Sequence, residues 1–327
     1  MEPVTFLEGI RQALFEAFES DPNVIMLGED IGVYGGAFKV SAGMLARFGP
    51  DRIIDTPISE SGIVGAAIGA SFVGMKPIVE MQFIDFISNA HSMIVNFAAK
   101  CHYRWGQAVP IVIRGPWGGM VHSGPFHAQC PEMSYVHTPG LKVVAPGTAA
   151  DARGLLRAAI RDPNPVIFLE HKNLYRRIKE VLPPLSASEP VEVLGKAAIR
   201  RAGTDVSIIT YGAMLYRALE AATLAESNGV SVEVLDLRTL MPLDRDAILA
   251  TARKTGKVIL LHEDTRTGGL GGELSSIIAE QGFEYLDAPL VRLGALDTPV
   301  PLAAALEDAF LPSVEQIRQA VVAQATY

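Results

Sequence analysis

The sequence predicts an α/β protein of two domains, the second of them a parallel sheet with crossover helices. Short apolar runs of strand length alternate with amphipathic helical stretches along the chain, and the alternation is most regular after residue 195. Between them residues 181–195, VLPPLSASEPVEVLG, turn rich in Pro and Ser, a boundary signal that places one domain at 1–185 and the other at 195–327. A length of 327 residues accommodates two ordinary domains, and 49% hydrophobic with 20% charged residues is the balance of a globular enzyme.

The elements follow in order. Thr5-x-x-Glu8 is a capping box that opens an amphipathic helix; acids spread through this stretch argue against a signal peptide. Asp21-Pro22 ends it, and residues 24–27 read as a buried strand running into Gly28-Glu29-Asp30. Acids just past a strand end lie on the ligand-facing edge of an open α/β sheet, which marks Glu29. The glycine-rich loop 32–36 precedes a helical stretch at 41–48 and an extended run at 52–55. Strands are expected at 77–82, 109–114, 141–144 and 166–170, with a long helix at 86–101 and another at 149–161. Residues 115–127 form a loop rich in Gly, Pro and His, and a loop of that length is usually functional. Past the boundary, strands at 205–210, 231–237, 257–261 and 290–293 alternate with helices at 213–228, 244–254 and 271–281.

One stretch concentrates the chemistry. TPISESGIVGAAIGASFVG, residues 56–74, sets a single carboxylate, Glu60, at the start of a small-residue helix, with Ser59 as N-cap. Ile63, Val64, Ala66, Ala67, Ile68, Ala70 and Phe72 make that helix apolar on most faces, and Gly62, Gly65, Gly69 and Gly74 allow a close approach by another backbone or a ligand. Desolvation raises the pKa expected of such an acid, although an acid in a first helical turn also simply favours the macrodipole. A second concentration is His122, His127, Cys130, Glu132 and His137. These residues are compatible with a metal site, with hydrogen bonding inside a loop, or with a loop histidine paired with Glu60 for proton transfer.

Several classes are disfavoured. A formal charge of −8 argues against nucleic acid, no basic run points to an anionic membrane, and no stretch reaches the roughly 20 apolar residues that cross a bilayer. Two cysteines without a CxxC fit a reducing compartment, and the cytoplasm is the expected location. Gly268, Gly269, Gly271 and Gly272 do not have the G-x-G-x-x-G spacing, and neither a Walker sequence nor a G-x-S-x-G elbow is present.

The motifs GED-I-G-x-Y-G-G-A-F-K-V, TPISESGIVGAAIG, QFIDF, NFAAK, VPIVIRGPWGG, HAQCPE, GLKVVAP, DPNPVIFLEHKNLYR, LDLRTLMPLD and DTPVP occur in that order from about Val4 to the C-terminus. Together they resemble the beta subunit of the thiamine-diphosphate-dependent decarboxylating component of 2-oxo acid dehydrogenase complexes. The resemblance implies a pyrimidine-binding domain followed by a transketolase C-terminal-like α/β domain. It implies that Glu60 hydrogen-bonds the cofactor's aminopyrimidine and drives it to the imino tautomer, and that Phe86 lies against that ring, with Glu29 and Gln82 in the same cofactor site. By the same resemblance His127 assists reductive acylation of the lipoyl group, and Ile111, Ala159, Asp162 and Asn164 form a structural potassium site.

The sequence that holds magnesium and diphosphate in this family is absent, so these fall to an alpha subunit. The expected assembly is an α2β2 heterotetramer serving a lipoyl acyltransferase component, with a branched-chain 2-oxo acid or pyruvate as substrate; HEDTRTGG and HYRWG incline toward the branched-chain acids. An acetoin dehydrogenase subunit and a catalytically silent assembly subunit are the alternatives, and a metal hydrolase built on the loop histidines is a third reading. Two departures stand out: Ser92-Met93 replaces the usual Asp-Gln, and the turn at Trp105-Gly106-Gln107 is short.

Overall fold

A computed structural model describes residues 2–183 and 192–327; most of the Pro- and Ser-containing boundary stretch, at 184–191, lies outside the described residues. The chain forms two compact units, Met1–Trp117 with Ser134–Leu194 and Gly118–Met133 with Gly195–Tyr327. Residues 118–133 therefore pack with the second unit although they precede the boundary in sequence.

In the first unit the strands are β1 (Val24–Gly28), β2 (Ile53–Asp55), β3 (Lys76–Glu80), β4 (Val112–Trp117), β5 (Lys142–Val144) and β6 (Val166–His171). They lie side by side in the order β5-β6-β4-β3-β1-β2, with every pairing between them parallel. β1, β4 and β6 are buried along their whole length, as expected of parallel strands covered on both faces, and they are apolar apart from Arg114 in β4 and Glu170 and His171 in β6. The first helix, α1 (Phe6–Ser20), starts at the expected capping box: the Glu8 amide donates to Thr5 Oγ1 at 3.1 Å, and the Thr5 amide donates to Glu8 Oε2 at 2.7 Å. It buries Phe6, Ile10, Ala13 and Leu14. A Cβ at Gly9 would sit 2.6 Å from the Ala149 carbonyl oxygen, so glycine lets this helix touch the one at Ala149–Arg161.

In the second unit β8 (Val206–Thr210), β9 (Val232–Asp236), β10 (Val258–Thr265) and β11 (Val291–Ala295) are parallel, with β7 (Ala198–Arg201) antiparallel at the edge beside β9. The core beneath them joins Ile208, Val234 and Leu261 to Met214, Ala218 and Ala222 of the helix Met214–Ala225 and to Ile317 and Val321 of the last helix.

Three expectations change. β7 was not foreseen, because its Ala-Ile-Arg-Arg is half-exposed and offers no apolar run. The expected strand at 109–114 begins only at Val112 and runs on to Trp117, since Val109-Pro110-Ile111 closes a tight turn in which the Ile111 amide donates to the Val109 carbonyl at 2.8 Å. The single long helix at 86–101 is instead a 3₁₀ segment at Ile84–Ala90, a π segment at Met93–Ala98 and an α-helix at Ala99–Trp105. Ser88 turns its hydroxyl back to the Asp85 carbonyl at 3.1 Å, the local competition that weakens a regular helix in this polar, small-residue stretch.

Beneath the carboxyl ends of the first sheet lies a buried ionic cluster. Arg114 on β4 bonds Glu80 on β3 and Glu170 on β6, and the Tyr175 hydroxyl donates to Glu170 Oε2 at 2.7 Å. Arg114→Met is therefore expected to destabilise the fold by about 3–5 kcal/mol in urea titrations, because it strands two buried carboxylates without their cation.

Candidate active site

Parallel pairing collects the carboxyl ends of β1, β2 and β3 at one edge of the first unit. Glu29 follows β1, the segment from Thr56 to Glu60 follows β2, and Gln82 follows β3. Hydrogen bonds stitch these exits together. The Thr56 amide donates to the Gly28 carbonyl at 3.0 Å, the Gly32 amide to Asp55 Oδ1 at 2.6 Å, and Gln82 Nε2 to Asp30 Oδ2 at 3.3 Å. A Cβ at Gly32 would lie 2.4 Å from Asp55 Oδ2, so a side chain here would push the Asp55 carboxylate off the Gly32 amide.

Glu60 opens the helix Glu60–Phe72 and is only 8% exposed. Ser59 is its N-cap residue, as expected, but makes no side-chain capping bond. Among the described residues no hydrogen-bond or ion-pair partner meets the Glu60 carboxylate; the neighbouring helix N-terminus and one second acid are what it has. That acid is Glu29, also 8% exposed, whose pKa is held above the usual carboxylate range by burial and then by the charges of Glu60 and Asp30. A buried acid left without an internal partner, beside a second acid, is poised to bond a ligand nitrogen.

Phe86 is half-buried in the 3₁₀ segment after β3. Its ring meets Phe83 edge-on at 6.2 Å, and Phe83 in turn meets Phe38, in the loop after β1, at 5.5 Å. The first unit thus brings Glu29, Glu60 and Gln82 together at one sheet edge, with Phe86 on the segment that leaves it. His127 belongs to the second unit, in a turn where its amide donates to the Gly124 carbonyl at 3.4 Å.

The remaining face of the helix Glu60–Phe72 is not buried as expected. Ser61, Gly62, Ala66, Gly69 and Phe72 are exposed, Gly65 and Ala70 half-exposed, and Val73 beyond the helix is 80% exposed. The spacing puts the smallest side chains, Gly62, Ala66 and Gly69, on one outward face.

The residues expected at a potassium site, Ile111, Ala159, Asp162 and Asn164, make hydrogen bonds within the chain, and a carbonyl that accepts one amide keeps a second lone pair. The Asp162 carboxylate is taken by the Lys142 ammonium on one oxygen and by the Asn164 amide, at 2.9 Å, on the other. The carbonyls of Ile111 and Ala159 already accept the amides of Val166 and Asp162 at 3.0 and 3.2 Å. The loop-histidine metal reading loses its ligands: His122 Nδ1 is bound to Glu307 at 2.7 Å, Glu132 accepts from Tyr211, and His137 is exposed in the first unit. Among the described residues no group of three or more His, Cys, Asp or Glu is arranged to hold a metal ion.

Reading the sequence missed the Arg114–Glu80–Glu170 cluster. The available signal was a charged residue inside each of three apolar strands, which demands a buried partner. It also missed Glu263 and Glu307, acids set among apolar residues of the second unit.

Folding raises the Glu29 pKa, so its stabilising contribution is complete below the ordinary carboxylate range and is lost as pH rises through the folded value. Glu29→Gln is expected to melt above the parent at pH 8 and level with it at pH 4, as followed by thermal denaturation.

The chain matches the family model for the transketolase pyrimidine-binding domain over residues 2–178 and that for the transketolase C-terminal domain over 195–317. It is 45% identical over 324 residues to the 2-oxoisovalerate dehydrogenase subunit beta of Bacillus subtilis, covering 98% of both chains. It is 41% identical to the pyruvate dehydrogenase E1 component subunit beta of the same organism, over 97% of each, and 44% identical to the mitochondrial pyruvate dehydrogenase E1 subunit beta-2 of Oryza sativa, over 97% of this chain and 85% of that one. Among solved structures, a split-gene transketolase forming an inactive beta4 tetramer shares the fold, with a TM-score of 0.79, 24% identity and 99% of each chain covered. No helix of the described residues is long and apolar enough to cross a membrane. With both domains matched and these relatives aligned nearly end to end, the chain belongs to the family of beta subunits of the thiamine-diphosphate-dependent first component of 2-oxo acid dehydrogenase complexes.

Proposed function

We propose that this chain, paired with an alpha subunit in an α2β2 heterotetramer, decarboxylates a branched-chain 2-oxo acid or pyruvate and passes the acyl group to the lipoyl group of an acyltransferase component. The observation that carries the reading is Glu60: a buried carboxylate with no partner among the described residues, at a helix N-terminus on the carboxyl edge of a parallel sheet. Thiamine diphosphate, when bound, supplies the carbon nucleophile and the electron sink for loss of carbon dioxide. Glu60 would hold the aminopyrimidine ring through its carboxylate and could share a proton with it, an interaction that the low dielectric around a buried acid would strengthen. Phe86 offers the ring an aromatic wall, and Gln82 and Glu29 border it. His127 donates or accepts the proton that moves when the lipoyl sulfur takes the acyl group.

The other half of the site belongs to the partner. This chain has no Gly-Asp-Gly…Asn-type sequence for magnesium and diphosphate, so both are held by the alpha subunit. The outward face of Gly62, Ala66 and Gly69, extended by Phe72 and Val73, is a surface on which a partner helix can approach closely. Neither cysteine is in a disulfide, which fits a cytoplasmic, reducing location.

Two measurements test the proposal. Glu60→Gln keeps shape and burial, and in the reconstituted pair it is expected to slow exchange of the thiazolium proton with deuterated solvent by about 10²–10⁴-fold, with assembly unchanged; exchange at the parent rate returns Glu60 to the role of a helix-start acid. By calorimetry the isolated chain is expected to bind thiamine diphosphate more weakly than micromolar, since an aromatic wall and one carboxylate do not supply about 8 kcal/mol. Tight magnesium-dependent binding without a partner would overturn the two-chain site.

A further inference from the structure

Within the second unit the loop that carries His127 is held by buried carboxylates at both ends. At its entrance Met120 and His122 have φ of 63° and 57°, a left-handed region that side chains other than glycine rarely adopt, so the surrounding structure must hold them there. Glu307, in the helix Ala304–Phe310 and with its side chain 1% exposed, does so. Its Oε1 accepts the Met120 amide at 3.0 Å, and its Oε2 accepts the His122 amide at 3.1 Å and bonds His122 Nδ1 at 2.7 Å. The Gly119 amide donates to Glu263, and a Cβ at Gly119 would lie 2.8 Å from Glu307 Oε1, so only glycine admits the carboxylate. At the exit the Tyr211 hydroxyl donates to the fully buried Glu132 at 2.7 Å.

His127 lies between these anchors in sequence, and its neighbours Ala128 and Gln129 line a cavity. This cavity, of about 290 Å³, separates Pro125, Ala128 and Gln129 of the loop from Thr298, Val300 and Phe310 of the unit's body. Ala128 is buried and Gly124 lies close against Leu302, and the carboxylate anchors add to these contacts at the loop's ends.

We propose that Glu307 is a positioning residue for His127: by holding Met120 and His122 in the left-handed conformation it sets the path of the loop, and so governs acyl transfer to the lipoyl group without touching substrate. The inference rests on the role given to His127 above. Glu307→Gln preserves shape but replaces one acceptor oxygen by a donor. In the reconstituted alpha–beta holoenzyme it is expected to slow acylation of a lipoyl domain by about 10–10²-fold, the scale of a misplaced group, while decarboxylation read with a dye acceptor keeps its rate. In a His127→Ala background the same change is expected to add no further loss, the non-additivity of a residue acting through another, which a merely structural role does not produce. Hydrogen exchange of this chain alone gives a readout apart from activity: the Met120 and His122 amides are protected in the parent and exchange faster in the variant. Should Glu307→Gln fail to fold, His122→Asn makes the same comparison, since Asn tolerates the left-handed region and only the imidazole contact is lost; a loss of about threefold in acylation is expected. A His127→Ala enzyme that acylates at the parent rate defeats the role given to His127. A slowed His127→Ala enzyme beside an unaffected Glu307→Gln or His122→Asn enzyme defeats the positioning proposal alone.

Discussion

The guanidinium of Arg114, held between the carboxylates of Glu80 and Glu170, joins three adjacent strands of the first unit at the level where the chain leaves the sheet. All three side chains are removed from water, and such a cluster persists only where each charge finds its counter-charge and its hydrogen bonds. It therefore allows little latitude in strand register. The loop after β1 runs close to the same cluster: a Cβ at Gly36, whose φ is +79°, would lie 3.0 Å from Glu80 Oε1 and 3.2 Å from Ser41 Oγ. Glu29, Gln82 and the start of the Glu60 helix all follow from strand ends whose heights these charges set.

The contrast with Glu60 is physical. Glu80 and Glu170 are buried acids whose charges are answered inside the chain, while Glu60 is a buried acid that meets no counter-charge among the described residues. The same helix leaves a face of Gly62, Ala66 and Gly69 in solvent. An unanswered acid and an uncovered small-residue face on one helix are features of half a site, and both agree with relatives that are named as subunits.

In the second unit, buried acids do different work. Burial and the nearby Asp264 push the Glu132 pKa well up, and burial with the charge of Glu263 holds Asp264 at about 6. These acids surround one loop rather than a sheet edge. Backbone amides from Gly119, Met120 and His122 all point at carboxylates, so charge-assisted hydrogen bonds add to side-chain contacts in setting the loop path.

Much of this was legible in the chain itself. Local rules decide where the elements lie: Thr5 and Glu8 cap the first helix, apolar runs mark strands covered on both faces, and Glu29 and Glu60 declare themselves as acids at a strand end and a helix start. The order of motifs carried the family. What needed the tertiary structure was every fact that depends on residues far apart in sequence. The strand order is one, since parallel pairing leaves no local signature. The breakage of the expected long helix into 3₁₀, π and α segments is another, because propensity does not register what the segment packs against. Which face of the Glu60 helix is covered, the capture of Asp162 by Lys142, and the meeting of Glu307 with Met120 and His122 are of the same kind. Composition and spacing can say that a residue is acidic and where it sits on its element; only the folded chain decides whether its charge finds a partner, and that decision separates the structural acids of this protein from the one left for a ligand.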